Sequence, residues 1–361
     1  MSSAPDVAVI GGGIVGCSAA ARLAELGATV ELFERDELAG AASGRNQGSV
    51  QHPFDPVLAP LHDETLAIYR SLDGFELPAA PAGVLTIATE RAALEPLVRE
   101  VPQLGAEIFE GEALAELEPA LAPGVVACRL ETGFPVRPAA ATLAFAELAR
   151  ERGAQLLDGA EARVEISEGR AAGVVVDGEP RPVGAVLVAA GPWTPEVVDP
   201  SGRWRPVEAV WGVIAEVSLD EPPHHVLEEV GVEAVGTGAI DSIFSLVGQG
   251  DRAAVGSTFS ATRPDADALA PGLCAAGAAF VPALADAQVR SARACARPQS
   301  FDGRPLIGPL AHVEGLHVAA GHGPWGISTG PASGRLAADV LLGRADVRPE
   351  LAAARFAAAA G

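Results

Sequence analysis

The sequence predicts an α/β fold into which an antiparallel, β-rich part is inserted, and three observations carry that expectation. A short apolar run at residues 6–10, "DVAVI", meets the glycine turn "GGGIVG" and then a stretch of helical periodicity that Gly27 stops. A second apolar run at 29–33, "TVELF", completes a βαβ unit of roughly 30 residues. From about residue 204 to 294 the pattern turns to strands, and the chain then returns to strand, glycine loop and helix.

Element by element, residues 56–72 read as a helix and 83–88 as a strand, with acidic helical segments between 90 and 118. A turn at 133–138 leads into a helix over 139–152 that Gly153 closes. Residues 163–166 and 173–176 resemble two hairpin strands, and 185–190 a buried strand ending in "GPW". Further strands are expected at 210–217, 242–247 and 253–258, helices through 270–284, a strand at 316–320 and a helix from about Pro331 to residue 342. No repeat or low-complexity linker separates these pieces. A nucleotide-binding domain of 1–82, 137–205 and 295–361 is therefore expected, with 83–136 and 206–294 inserted as a substrate domain.

The 361 residues carry a net charge of -22 without a single lysine, and Asn46 is the only asparagine. Arginine as sole strong cation beside abundant Ala, Gly and Pro is the mark of a coding bias towards G and C. The acidic balance argues against nucleic acid, whose phosphates need an excess of cation on some face. Cys17, Cys128, Cys274 and Cys295 lack ligand-like spacing, and the N-terminus shows no charged region followed by an apolar core, which together imply a reducing, cytoplasmic setting. No apolar run approaches the roughly 20 residues of a membrane span, which leaves peripheral contact open.

Gly11, Gly13 and Gly16 form GxGxxG between a strand and a helix, with Glu34 about 20 residues on at the end of the second strand and Arg35 beside it. The first glycine permits the turn, the second lets backbone approach a pyrophosphate, and the third lets helix and strand pack. Ile14 and Val15 open the helix, whose N-terminus offers partial positive charge. Glu34 suits a ribose diol and repels a 2′-phosphate, so the Rossmann-like unit is expected to bind NAD or FAD rather than NADP.

Four blocks in order along the chain resemble the D-amino acid oxidase superfamily of FAD-dependent oxidoreductases: "VAVIGGGIVGCSAAARLAELGATVELFER", "AASGRNQGSV", "AVLVAAGPWTPEV", and "ARPQSFDGRPLIGPL" running on to "GLHVAAGHGPWGISTGPASGRLAADVL". The resemblance implies FAD. It implies that Ala42, Ser43, Arg45, Asn46, Gln47 and Gly48 wrap the pyrophosphate and approach the flavin. Val164 then contributes backbone bonds to the adenine, while Ala190, Gly191 and Trp193 close over the ribityl side. Gly323, Gly326, Ile327 and Ser328 face the flavin pyrimidine, where, without lysine, negative charge must be met by arginine, histidine, backbone N–H groups or a helix end.

On the substrate side the resemblance assigns Arg297 to a substrate carboxylate, a role suited to an always-charged fork. Aligning Gly256 with the glycine that ends the family's strand puts Phe244 where amino-acid oxidases carry a carboxylate-binding tyrosine, and Pro324 replaces a polar residue of the glycine-oxidase loop. Gln51 and His52 are expected above the flavin, His52 as substrate ligand, base or covalent flavin anchor, or simply as a solvated loop histidine. His322 has a role at the flavin or orders its loop. Asp302 stabilises a turn, and His224-His225 reads as exposed loop with no metal set. Oxidation of an amine or amino acid by hydride transfer to flavin N5 is the expected function, with oxygen or another acceptor downstream. A specialised biosynthetic substrate, supported by Phe244 and Pro324, and a non-catalytic flavin-binding subunit are the alternatives, and a homo- or hetero-oligomer is compatible with either.

Overall fold

In the computed structural model, which describes residues 4–231, 242–311 and 313–356, the opening apolar run forms β1 (Val7–Ile10), buried at all four positions. A central strand covered on both faces needs such a continuous run. α1 (Ile14–Glu25) follows, and β2 (Val30–Glu34) returns parallel, with Val7 opposite Val30 and Ile10 opposite Phe33.

A six-stranded sheet results, ordered β18 (Leu306–Pro309), β19 (Leu316–Ala320), β12 (Ala185–Val188), β1, β2 and β8 (Gln155–Asp158). Its pairs are parallel except β18 with β19. The chain runs from β1 to β2 on one side and later adds β12 on the other, so the strand order reverses at β1. Such a switch point opens a crevice at the carboxyl ends of the strands. Ile10, Ala190 and Ala320 lie on its wall.

The second sheet has eight strands, ordered β17 (Gln288–Ser300), β13 (Val207–Ser218), β16 (Arg252–Thr258), β15 (Ser242–Gln249), β14 (Val226–Glu229), β4 (Val84–Ala88), β6 (Val126–Leu130) and β5 (Glu107–Glu110). β14 and β4 are its parallel pair, and β13 follows β17 from Val207 opposite Ser300 to Ser218 opposite Gln288. A three-stranded sheet of β9 (Ala162–Ser167), β10 (Arg170–Val176) and β11 (Glu179–Pro182) extends the expected hairpin by one strand, and β3 (Ser49–Val50) pairs with β7 (Phe134–Pro135). Beyond α1, the helices are α2 (Ala42–Arg45), α3 (Ala59–Arg70), α4 (Glu95–Glu100), α5 (Gly111–Leu117), α6 (Ala140–Glu151), α7 (Thr194–Val198), α8 (Ala266–Gly277) and α9 (Gly326–Leu341). α8 covers one face of the second sheet, whereas α6 and α9 flank α1. No described helix is long and apolar enough to cross a membrane.

α9 starts at Gly326, five residues before the proline at which the sequence reading placed it. Pro331 sits in the second turn, where it has no N–H for the Ile327 carbonyl. The Tyr69 hydroxyl, from α3, donates to that carbonyl at 2.7 Å instead. Burial pushes the phenol pKa up, which keeps it a donor. The only tyrosine of the chain thus repairs the break that the proline makes. Tyr69→Phe, which keeps the ring and removes the donor, is expected to cost about 1–3 kcal/mol of unfolding free energy in a urea titration; no loss of stability would show that Ile327 finds another partner.

Candidate active site

Close backbone approaches position the two helix ends that face the crevice. Gly11, at φ +115, has no room for a Cβ against the Ala189 carbonyl, and a Cβ on Gly16 would run into the Gly11 carbonyl oxygen. On α9, a Cβ at Gly330 would meet Ile14 at 2.8 Å, and one at Gly334 would overlap the Ser18 hydroxyl. α9 therefore lies almost backbone to backbone on α1. Both N-termini open into one cavity of about 1040 Å³.

Every residue assigned from the sequence to cofactor or substrate lines this cavity except Gly16, Arg45, His52 and Phe244. Gly16 serves the packing beneath the turn, as its part in the motif requires. Arg45 is a correction: its Nε donates to the Gly40 carbonyl at 2.7 Å, which ties the loop to itself. Phe244 is a second correction. It is 6% exposed and stacks on Phe280 at 5.3 Å, under α8. Side chains alternate along a strand, so its neighbours Ile243 and Ser245 face the cavity instead. Gln51 lines the cavity, whereas His52 does not, and its ring meets His62 edge-on at 4.9 Å. With Asp63 these two histidines bring potential ligand atoms within 4.8 Å of one another, outside the cavity. His225 is also corrected: it is half-buried, with Nδ1 2.9 Å from the buried Glu118 carboxylate, while His224 is exposed.

The polar loop builds its own shape before it meets anything else. The Asn46 amide donates to the Ala42 and Ser43 carbonyls at 3.1 and 2.8 Å, and its oxygen accepts from the Gly48 N–H at 2.8 Å. Gly48, at φ +88, has no space for a Cβ against the Val136 carbonyl. Ser43 reaches the helix end, its hydroxyl accepting from the Ile14 N–H at 2.9 Å. Gln47 bridges to the second sheet, donating to the Ala254 carbonyl at 2.9 Å and accepting from the Ser245 hydroxyl at 3.0 Å. Arg293, which the sequence reading passed over, closes the loop from below by donating to the Arg45 and Asn46 carbonyls at 3.2 and 3.0 Å. Its place on β17, four residues before Arg297, was the available signal.

At the other side of the first turn, Glu34 accepts from the Gly12 N–H at 2.7 Å, and Arg35 lies 4.1 Å above the Trp193 ring. Asp302 does fix its turn, accepting from the Arg304 N–H at 3.1 Å and from Arg355. These features suit a dinucleotide: glycines where a Cβ would fill the cradle, two helix N-termini on one cavity, and an acid at the end of β2. The buried Nε2 of His322 has no hydrogen-bond partner within the protein, and it faces the same space.

Arg297 lies on β17 with its guanidinium over Gly212, donating to the Thr258 carbonyl at 3.2 Å and to the Ser257 hydroxyl, 4.8 Å from the Phe259 ring. Burial lowers its pKa, and among the described residues no carboxylate lies in ion-pair reach. A guanidinium stays charged at any physiological pH. Among the described residues it is held by neutral acceptors, so its charge is not cancelled within the protein. Cys295 is close by, but burial pushes its thiol up and removes it as a nucleophile.

Burial pushes His322 and His62 each down to about 4, from 6.5, and both rings are therefore neutral at physiological pH. In the unfolded chain they titrate normally, so between pH 6.5 and 4 that chain holds more protons than the folded one. Unfolding free energy should therefore fall as pH drops through this window, by up to on the order of 3 kcal/mol for each ring. Urea titrations at stepped pH should give a shallower dependence for His322→Gln and for His62→Phe; slopes equal to that of the unaltered protein would show that water reaches the rings.

Comparison with known proteins agrees with this geometry. The profile of the family described as "FAD dependent oxidoreductase" matches residues 6–340. A glycine oxidase of Pseudomonas aeruginosa is 31% identical over 94% of this chain and 95% of its own. Among solved structures, glycine oxidase from Geobacillus kaustophilus superposes with a TM-score of 0.83 at 24% identity, covering 99% of both chains. Iminodiacetate oxidase from Chelativorans sp. BNC1 gives a TM-score of 0.83 at 25% identity over 98% of both. The glycine cradle, the acid at the end of β2 and the full-length match lead to one conclusion: this chain belongs to the DAO family of FAD-dependent oxidoreductases.

Proposed function

We propose that this enzyme oxidises an amino acid or N-substituted amino acid at the carbon next to nitrogen, with hydride passing to flavin N5 and an imine released. The observation that carries the reading is Arg297, a desolvated guanidinium without a carboxylate partner, on the cavity that the dinucleotide cradle shares. Relatives named for glycine and iminodiacetate act on molecules that join a carboxylate to an amine nitrogen through one carbon, which supports the same substrate class. FAD supplies the two-electron acceptor when bound.

The remaining tasks fall to the chain. Two of the five Arg297 donors are engaged by Thr258 and Ser257, leaving the fork able to take a carboxylate and fix the direction of the adjoining carbon. His322 is neutral and brings no charge, so developing anionic character meets the N-terminus of α9 at Gly326, Ile327 and Ser328. The nitrogen must arrive with its lone pair free for the carbon to lose hydride and form the C=N bond. Pro324 and Trp325 line the same cavity.

Anaerobic addition of glycine, sarcosine and a panel of D-amino acids should bleach the flavin if this reading holds, and failure with every amine would refute it. Arg297→Met should raise KM for a carboxylate substrate by the equivalent of about 2–5 kcal/mol; unchanged kinetics would remove Arg297 from the site. Gly334→Leu, far from the reacting atoms, should yield protein with little bound flavin because it drives α9 off α1, as read from the ratio of flavin to protein absorbance.

A further inference from the structure

One charged group on the cavity wall has no part in binding FAD or a single carboxylate. Glu228 lies on β14, half-buried, and its Oε1 accepts from the Gln51 amide at 2.8 Å. No arginine or histidine of the described residues lies in ion-pair reach, and desolvation raises its pKa against the single amide bond that lowers it. A carboxylate removed from water normally has several donors or a cation. Among the described residues Glu228 has one amide donor, from Gln51, and no cation beside it.

The placement of Glu228 relative to Arg297 follows from strand register. Glu228 is opposite Ser245, and Ser245 is opposite Gly256, forming a row across β14, β15 and β16. Ser257, next after Gly256, is the residue whose hydroxyl holds Arg297. Two strand spacings, about 9.5 Å, therefore separate the strand bearing Glu228 from the anchor of the guanidinium. The wall between them presents neutral groups, Ile243, Ser245 and the Gln47 amide. Gln51 fastens the far end to the flavin side, because its N–H donates to Ser328 in the first turn of α9 at 2.9 Å while its side chain orients Glu228.

We infer that the cavity takes an elongated amino acid whose carboxylate binds Arg297 and whose second, cationic group, an ammonium or guanidinium, binds Glu228. This rests on the reading of Arg297 as the carboxylate site and deepens it to basic amino acids. A ligand as short as glycine brings no cation to Glu228, whereas one that carries its cation six bonds from the carboxylate can offer it one across the neutral wall. Glu228 is then a specificity-determining residue, and Gln51 positions it.

Binding and oxidation are to be measured separately. Isothermal titration of the flavin-loaded enzyme with 5-guanidinopentanoate and with pentanoate compares two acids that have no oxidisable amine. The guanidino acid should bind at least tenfold more tightly, and the ratio of the two Kd values should fall close to one in Glu228→Gln. Equal affinities in the unaltered enzyme, which require no variant to fold, would overturn the inference, as would a preference that survives in Glu228→Gln. Anaerobic flavin reduction by arginine of either hand and by glycine then separates the two readings. Guanidino preference without reduction by any amino acid would uphold the cation site and refute the proposed oxidation. Reduction by glycine with no guanidino preference would refute the cation site alone.

Discussion

The contact on which the rest of the site depends is the near backbone-to-backbone crossing of α1 and α9 at Gly330 and Gly334. It places two helix N-termini, each with partial positive charge and unsatisfied N–H groups, on one cavity. Such an arrangement is unfavourable by itself, since like ends repel and their donors lack partners. The protein relieves it in part internally, with the Ser43 hydroxyl on the Ile14 N–H. An anionic dinucleotide supplies what remains. Local disagreement of this kind, concentrated where a ligand belongs, is typical of functional sites.

α9 carries a second conflict, and its solution explains a residue that composition alone made conspicuous. Pro331 frees a carbonyl one turn from the helix start, at the place where α9 must be straight enough to lie on α1. Tyr69 meets that carbonyl from α3, so α3, α9 and α1 are bound into one layered unit. Neither the proline nor the tyrosine makes sense alone. From the sequence the proline looked like a helix start, because proline is favoured in a first turn and the partner that rescues it lies 258 residues away.

The βαβ unit, the three motif glycines and Glu34 were legible because they follow one another at fixed spacing within a single stretch of about 30 residues. Arg297 was legible through resemblance. The errors differ in kind: Phe244 and His52 each sit one position from a residue that does face the cavity, whereas Arg45 and His225 are held by partners within the protein, the Gly40 carbonyl and Glu118. Ser245 and Gln51 occupy the inward places. Asn46 shows a different limit. The resemblance assigned it to the cofactor, yet all of its amide hydrogen bonds shape the loop that carries Ser43 and Gln47. Its effect on a cofactor is exerted through backbone geometry. Glu228 was invisible because β14 is only four residues long and is recognisable as a strand only from its partners, β15 and β4.

The second sheet contributes chemistry by a different principle from the first. In the first sheet the ligand is met by strand ends and helix ends, so backbone dominates and side chains are kept small. In the second, the cavity lies against a sheet face, and pleat and register decide which side chains project into it. Arg297 is held on Ser257 and Thr258, and Glu228 on Gln51, by neutral groups that fix direction without cancelling charge. Had either been paired with an opposite charge, its field would be spent inside the protein. Under the proposed reading the two groups are kept apart by neutral wall, and strand register in the sheet sets the distance that a ligand would span to meet both.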